Sequence, residues 1–240
     1  MNGIDKRKSY FLVIDTETAN GLTDSLVYDC GFTIIDKQGN VYQKHSYVIS
    51  DIFIGQAELM KTSYYSQKIP QYDIDLKNGT RTMINCYTLR RTVIDIMKLY
   101  NVQKVWAFNA QFDINALNST VKFTTKGKYK YFFPYGTSIN CIWAVACQTL
   151  CIQTKYFKFI QKKELFTQTG IKTSAEVVYQ FITNTDVIEE HTALEDAIIE
   201  SQILVKCLKQ HKKMTTFPRP FPSGMVCKNY KEWKRKQKRE

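Results

Sequence analysis

Two carboxylates two residues apart, Asp15 and Glu17, follow the apolar run Phe11-Leu12-Val13-Ile14. Side chains alternate along a strand, so both acids project from one face, beside a surface that is otherwise apolar. Burying such charges is costly unless they are paired or coordinate a metal. A third acid, Asp113, closes the segment Phe108-Asn109-Ala110-Gln111-Phe112-Asp113. With Asn109 as N-cap it falls in a helix's first turn, where the dipole favours negative charge. A fourth, Asp196, ends the pattern His191-x4-Asp196. With Thr192 as N-cap, His191 and Asp196 occupy the two positions that a hydrophobic staple brings together, yet both are ionisable. The chemistry open to such a set is metal binding by the acids and proton transfer by the histidine. Singly, each piece has a plainer reading: a polar strand end, an acid set by the helix dipole, a surface histidine.

The elements that position these residues are legible in part. Phe11–Ile14 reads as a strand covered on both faces and central in its sheet. Leu26 to Asp36 and Val41 to Ser50 flank the turn-prone Lys37-Gln38-Gly39-Asn40, which predicts an antiparallel meander of the first three strands. A short helix is expected over Gln56 to Gln67, ended by Pro70. Apolar residues at helical spacing, Leu89, Val93, Ile96 and Met97, predict a helix over Tyr87 to Tyr100, followed by a strand from Lys104 to Phe108. Asn140 to Cys151 reads as a buried helix. Thr173 and Thr192, each three residues before a glutamate, give capping boxes that open two more helices. The expected order is β-β-β-α-β-α-α-α, an α/β fold.

The chain has 240 residues, 44% of them hydrophobic, and a formal net charge of +12. We expect one catalytic domain over residues 1–210, then a Pro-containing linker and basic tail over 211–240, outside the core. The positive balance favours a polyanionic partner. No segment has the length and apolar character of a membrane span or signal sequence, and seven cysteines without a CxxC pair fit a reducing cytosol rather than a disulfide or zinc framework. Lys122 to Tyr135 interleaves Lys126, Lys128 and Lys130 with aromatic rings. That pattern fits a single-strand binding surface, and equally a hairpin turning at Lys126-Gly127 with its rings packed inward. The tail, with Tyr230 and Trp233 among basic residues, fits non-specific contact with nucleic acid, or docking on a polymerase or other replication protein. The Lys, Asn, Ile and Tyr content is compatible with an AT-rich bacterium or its phage, which would place the chain in the bacterial or host cytoplasm.

Taken together and in order, Ile14-Asp15-Thr16-Glu17-Thr18, Phe108 to Asp113 and His191 to Asp196 resemble the three motifs of the DnaQ-like DEDDh exonucleases, over roughly residues 8 to 210. The resemblance implies an RNase H-like mixed sheet with helices on its faces. It implies two Mg²⁺ or Mn²⁺ ions roughly 3.5–4 Å apart, held by Asp15, Glu17, Asp113 and Asp196, with His191 as general base. It also implies cleavage of terminal phosphodiesters from a single-stranded 3′ end, releasing 5′-mononucleotides. Contacts to the terminal nucleotide are expected around Thr16, Thr18, Leu22, Asn109 and Phe112, although Phe112 fits the core as well. Where relatives often carry a second threonine, this chain continues Thr18-Ala19-Asn20-Gly21. A ribonuclease trimming RNA ends shares the same motifs. A binding module on an inactive nuclease fold is a third reading, though it has no use for clustered acids that repel phosphate. The carboxylates near His191 are expected to raise its pKa.

Overall fold

The computed structural model describes residues 4–19, 24–63, 65–187, 191–218 and 222–237. Strand β1, Tyr10–Ala19, is apolar on both faces over its first half because helices cover it on both sides. β2, Leu26–Asp36, and β3, Val41–Ile49, fold back as the expected antiparallel meander. Their turn is held by the Asp36 carboxylate, which accepts from the backbone N–H groups of Gln38, Gly39 and Asn40.

Two short helices follow, α1, Ser50–Phe53, and α2, Ala57–Met60, and then a 3₁₀ turn, Ser66–Lys68. The helix expected from Gln56 to Gln67 is thus broken, and Pro70 does not end it. Pro70 stands instead in the first turn of α3, Ile69–Asn78, where a missing N–H leaves no bond unmade. The chain continues through β4, Thr82–Ile84, and α4, Cys86–Leu99, whose N-cap Asn85 accepts from the Thr88 N–H. β5, Lys104–Ala107, leads into α5, Ala110–Thr124. β6, Ser138–Cys141, precedes α6, Ile142–Thr149. This strand occupies the start of the helix expected over Asn140 to Cys151, since a short apolar run carries no periodicity that separates the two forms. Among the described residues four more helices follow: α7, Thr154–Lys163; α8, Ala175–Thr183; α9, Ala193–Leu208; and α10, Ser223–Gln237.

The sheet runs in the order β4-β3-β2-β1-β5-β6. β5 is parallel to β1 and β6 to β5, whereas β4 pairs parallel with β3. One face packs Leu12 and Ile14 with Leu89 of α4 and Leu117 of α5. The other packs Phe11 and Val13 with Ile203 and Leu204 of α9. α10 adds Val226 and Tyr230 to that second core, so this part of the chain is not the tail outside the core that its composition predicts. Among the described residues no helix is long and apolar enough to cross a membrane.

The Lys122–Tyr135 segment forms no hairpin. α5 carries its start to Thr124, and residues 125 to 137 are irregular. Its rings divide: Phe132 and Phe133 are buried, while Phe123, Tyr129, Tyr131 and Tyr135 are exposed.

Candidate active site

β1 pairs with β5 only from Phe11 to Val13, so its last residues run past the carboxyl end of β5. Ligands of open α/β sheets bind in such a crevice beyond the carboxyl ends of strands. Asp15 and Glu17 lie in it, half-buried, on the strand face that Phe11 and Val13 begin. α9 covers that face and brings Asp196 in its first turn. Carboxylate oxygens of Asp15, Glu17 and Asp196 then all lie within 4.8 Å of one another.

Asp113 reaches β1 from the other side. It is buried in the first turn of α5 and accepts from Thr16 Oγ1 at 2.9 Å. Asn109 opens that helix as expected but without a side-chain capping bond, in a left-handed backbone conformation at φ 60°. The four acids therefore meet as a close trio plus one carboxylate tied to the intervening threonine.

His191 precedes α9 at φ 51°, its Nδ1 4.0 Å from Asp196 Oδ2. Tyr65 stacks on its ring at 4.6 Å between centroids. Lys68 lies 5.8 Å from the centre of the Tyr65 ring and donates to the His191 carbonyl at 3.4 Å. Burial, and then the Lys68 charge, hold the imidazole below its ordinary pKa. The expected rise from neighbouring carboxylates is thus reversed.

The acids shift the other way. Burial raises Glu17 to about 9, reinforced by Asp196, and burial takes Asp113 to about 7. Asp15 is held well above the carboxylate range by burial, then by Glu200 and Asp113. Such a site binds protons readily and has the donor chemistry to hold a divalent cation in their place. Its close trio consists of hard oxygen donors of the kind that can hold a metal ion.

Several supporting residues carried no motif in the sequence. Gly31 pairs with Asp15 across β2, and a Cβ placed on it would lie 2.0 Å from the Leu194 backbone nitrogen. Only a glycine lets the first turn of α9 approach the strand so closely. Buried Asp29 accepts from the Ala193 N–H at 3.0 Å and from Tyr72 Oη at 2.7 Å, and pairs with Arg81 at 3.3 Å. Arg81 also pairs with Asp75 and Glu195. The start of α9 is therefore capped from β2, not by Thr192, whose hydroxyl donates to the Glu195 side chain. Glu200 is buried one turn beyond Asp196 and accepts from the Phe108 N–H at 3.1 Å, joining α9 to the turn that opens α5. Its i+4 spacing from Asp196 was the one available signal.

Among the residues expected to meet substrate, Thr16 is buried against Asp113, Thr18 and Phe112 are half-buried, and Asn109 is exposed. Leu22 lies outside the described residues. Lys126 and Lys128 are exposed in the irregular segment after α5, whereas the Lys130 ammonium donates to the Thr125 carbonyl.

No family model matches the sequence, and no curated protein matches it. Among solved structures, the chain is similar to the zinc-bound form of the E. coli ExoI–ssDNA complex, with a TM-score of 0.50 at 13% identity. The likeness covers 83% of this chain and 40% of that one. At this identity it shows the fold: an RNase H-like mixed sheet flanked by helices.

Proposed function

We propose that the chain is a metal-dependent 3′→5′ exonuclease that hydrolyses terminal phosphodiesters of single-stranded DNA and releases 5′-mononucleotides. The observation that carries this reading is the trio Asp15, Glu17 and Asp196, with oxygens within 4.8 Å, beside His191 at the carboxyl end of β1. The bound single-stranded DNA of the structurally similar ExoI complex supports DNA as the polymer.

In this account Asp15, Glu17 and Asp196, with Asp113, hold two Mg²⁺ or Mn²⁺ ions. Bound there, the ions supply charge stabilisation for both the attacking and the leaving oxygen. His191 takes the proton of the attacking water, and its depressed pKa keeps it neutral and able to do so. Tyr65 and Lys68 hold the ring and the backbone of that histidine in place. Thr16 orients Asp113. Thr18, Asn109 and Phe112 border the place of the terminal nucleotide, and Lys126, Lys128 and Lys130 the strand leading to it.

The test is digestion of DNA and RNA oligonucleotides of one sequence, labelled at either end, with products separated by length. DNA shortened from its 3′ end to mononucleotides is expected. Faster digestion of RNA would assign the same site to RNA trimming, and internal cuts would remove the exonuclease reading.

A further inference from the structure

From Asp113 to Glu164 the sequence contains no other carboxylate side chain, and α7 lies inside that stretch. It buries Tyr156, Phe157 and Ile160, and exposes Lys155, Lys158 and Lys162. The three lysines recur at i, i+3 and i+7, a single stripe on the side opposite the buried residues. α10 repeats the design. It turns Val226, Tyr230 and Trp233 inward, and leaves Lys228, Lys231 and Arg235 at the same i, i+3, i+7 spacing outward.

The two helices are locked together. The rings of Tyr230 and Trp233 pack on Phe157 at 5.5 and 5.6 Å between centroids. Gly170 lies so close to α10 that a Cβ there would stand 2.2 Å from Cys227 Sγ. α10 is thus a fixed helix whose cations keep one orientation relative to its buried face. Among the described residues none of the six stripe cations has a carboxylate within ion-pair distance. Like charges one turn apart weaken a helix, and ordinary solvated faces interleave both signs. α7 thus presents three lysines with no acid among them, and α10 presents Lys228, Lys231 and Arg235 with a single acid, Glu232, on the same face. The surplus of positive charge on both helices complements a polyanion.

We propose that the paired stripes of α7 and α10 form a second nucleic-acid contact, binding the phosphodiester backbone of a single strand apart from the cleavage site. The proposal rests on the reading of the chain as one that acts on nucleic acid. It is tested on the full chain, in chelator, by fluorescence anisotropy with a labelled single-stranded DNA long enough to extend beyond the site, across a salt series. Three proteins are compared with the wild type: Lys228→Gln/Lys231→Gln/Arg235→Gln, Lys155→Gln/Lys158→Gln/Lys162→Gln, and a control of equal charge, Lys6→Gln/Lys37→Gln/Lys44→Gln, at exposed positions elsewhere.

Each stripe variant should bind about tenfold or more weakly at low salt. The slope of log affinity against log salt should flatten by about 2, since each single-strand phosphate contact contributes about 0.7. The control should change the slope by less than half as much. Unchanged slopes in the stripe variants, or an equal loss in the control, would overturn the proposal, the latter because net charge alone would then account for binding. Cleavage does not enter the measurement. Stripe-dependent binding by a chain that never cuts DNA would therefore sink the exonuclease reading while leaving this one standing.

Discussion

Among the described residues, taken singly, His191 is the one side chain near the acid trio that can take up a proton as a neutral base. The sequence placed it beside Asp196, and the structure sets the two 4.0 Å apart. The pKa expectation failed, because burial and Lys68 outweigh the nearby acids in their effect on the ring. A general base works in its neutral form, so at saturating divalent metal activity should rise with pH through a midpoint below the ordinary imidazole value of about 6.5. Lys68→Gln removes a neighbouring positive charge, so the rising limb should move to higher pH. A pH–rate profile unchanged by that substitution would detach Lys68 from the histidine. His191→Ala should lower kcat by about 10²–10⁴-fold while leaving thermal stability near that of the wild type. The motif residues were legible because Asp-x-Glu, the Asp113 turn and His-x4-Asp are local patterns. Tyr65, Lys68 and Asp29 were not, since each meets the site only through a contact made by tertiary folding.

At the scale of elements, the site depends on how closely α9 approaches β2. Gly31 permits the contact and Asp29 caps the helix from the strand, while Arg81 anchors Asp29. Gly31→Ala forces the helix away and should destabilise the protein by about 1–3 kcal/mol or more, as overpacking does. Activity should fall further than this loss of stability explains, because Asp196 moves with the helix. Wild-type melting and activity in Gly31→Ala would show that the approach has slack. Arg81→Met leaves the buried Asp29 carboxylate without its cation and should cost about 3–5 kcal/mol in denaturant unfolding. Sequence patterning located the meander, α4, β5 and the start of α9, whose periodicities or turn signals are strong. It misread the stretch around Pro70, because proline both stops a helix and favours a first turn, and it missed β4 and β6, which have only a few residues each.

At the scale of the molecule, charge is divided. Acids converge on the crevice, and cations cover α7 and α10. The crevice acids bind protons more tightly folded than unfolded. Without divalent metal, stability should therefore fall as pH rises from about 4, where unfolded carboxyls ionise, through about 7 and then about 9, where Asp113 and Glu17 ionise in the folded chain. Thermal melts in chelator should show that decline, and Mn²⁺ should raise Tm more at pH 8 than at pH 5. A gain that does not depend on pH would place the metal elsewhere. The fold class was legible from strand order and motif spacing together, whereas the docking of α10 was hidden because its basic composition resembles a solvated tail. The central claim is that the acid trio cleaves nucleic acid through bound metal. Its most direct test follows the 3′-terminal nucleotide released from single-stranded DNA with Mg²⁺, Mn²⁺ or chelator, by the wild type and by Asp15→Asn. Release that needs metal and vanishes in Asp15→Asn is expected, and release that persists in chelator, or is undiminished in the variant, would contradict the account.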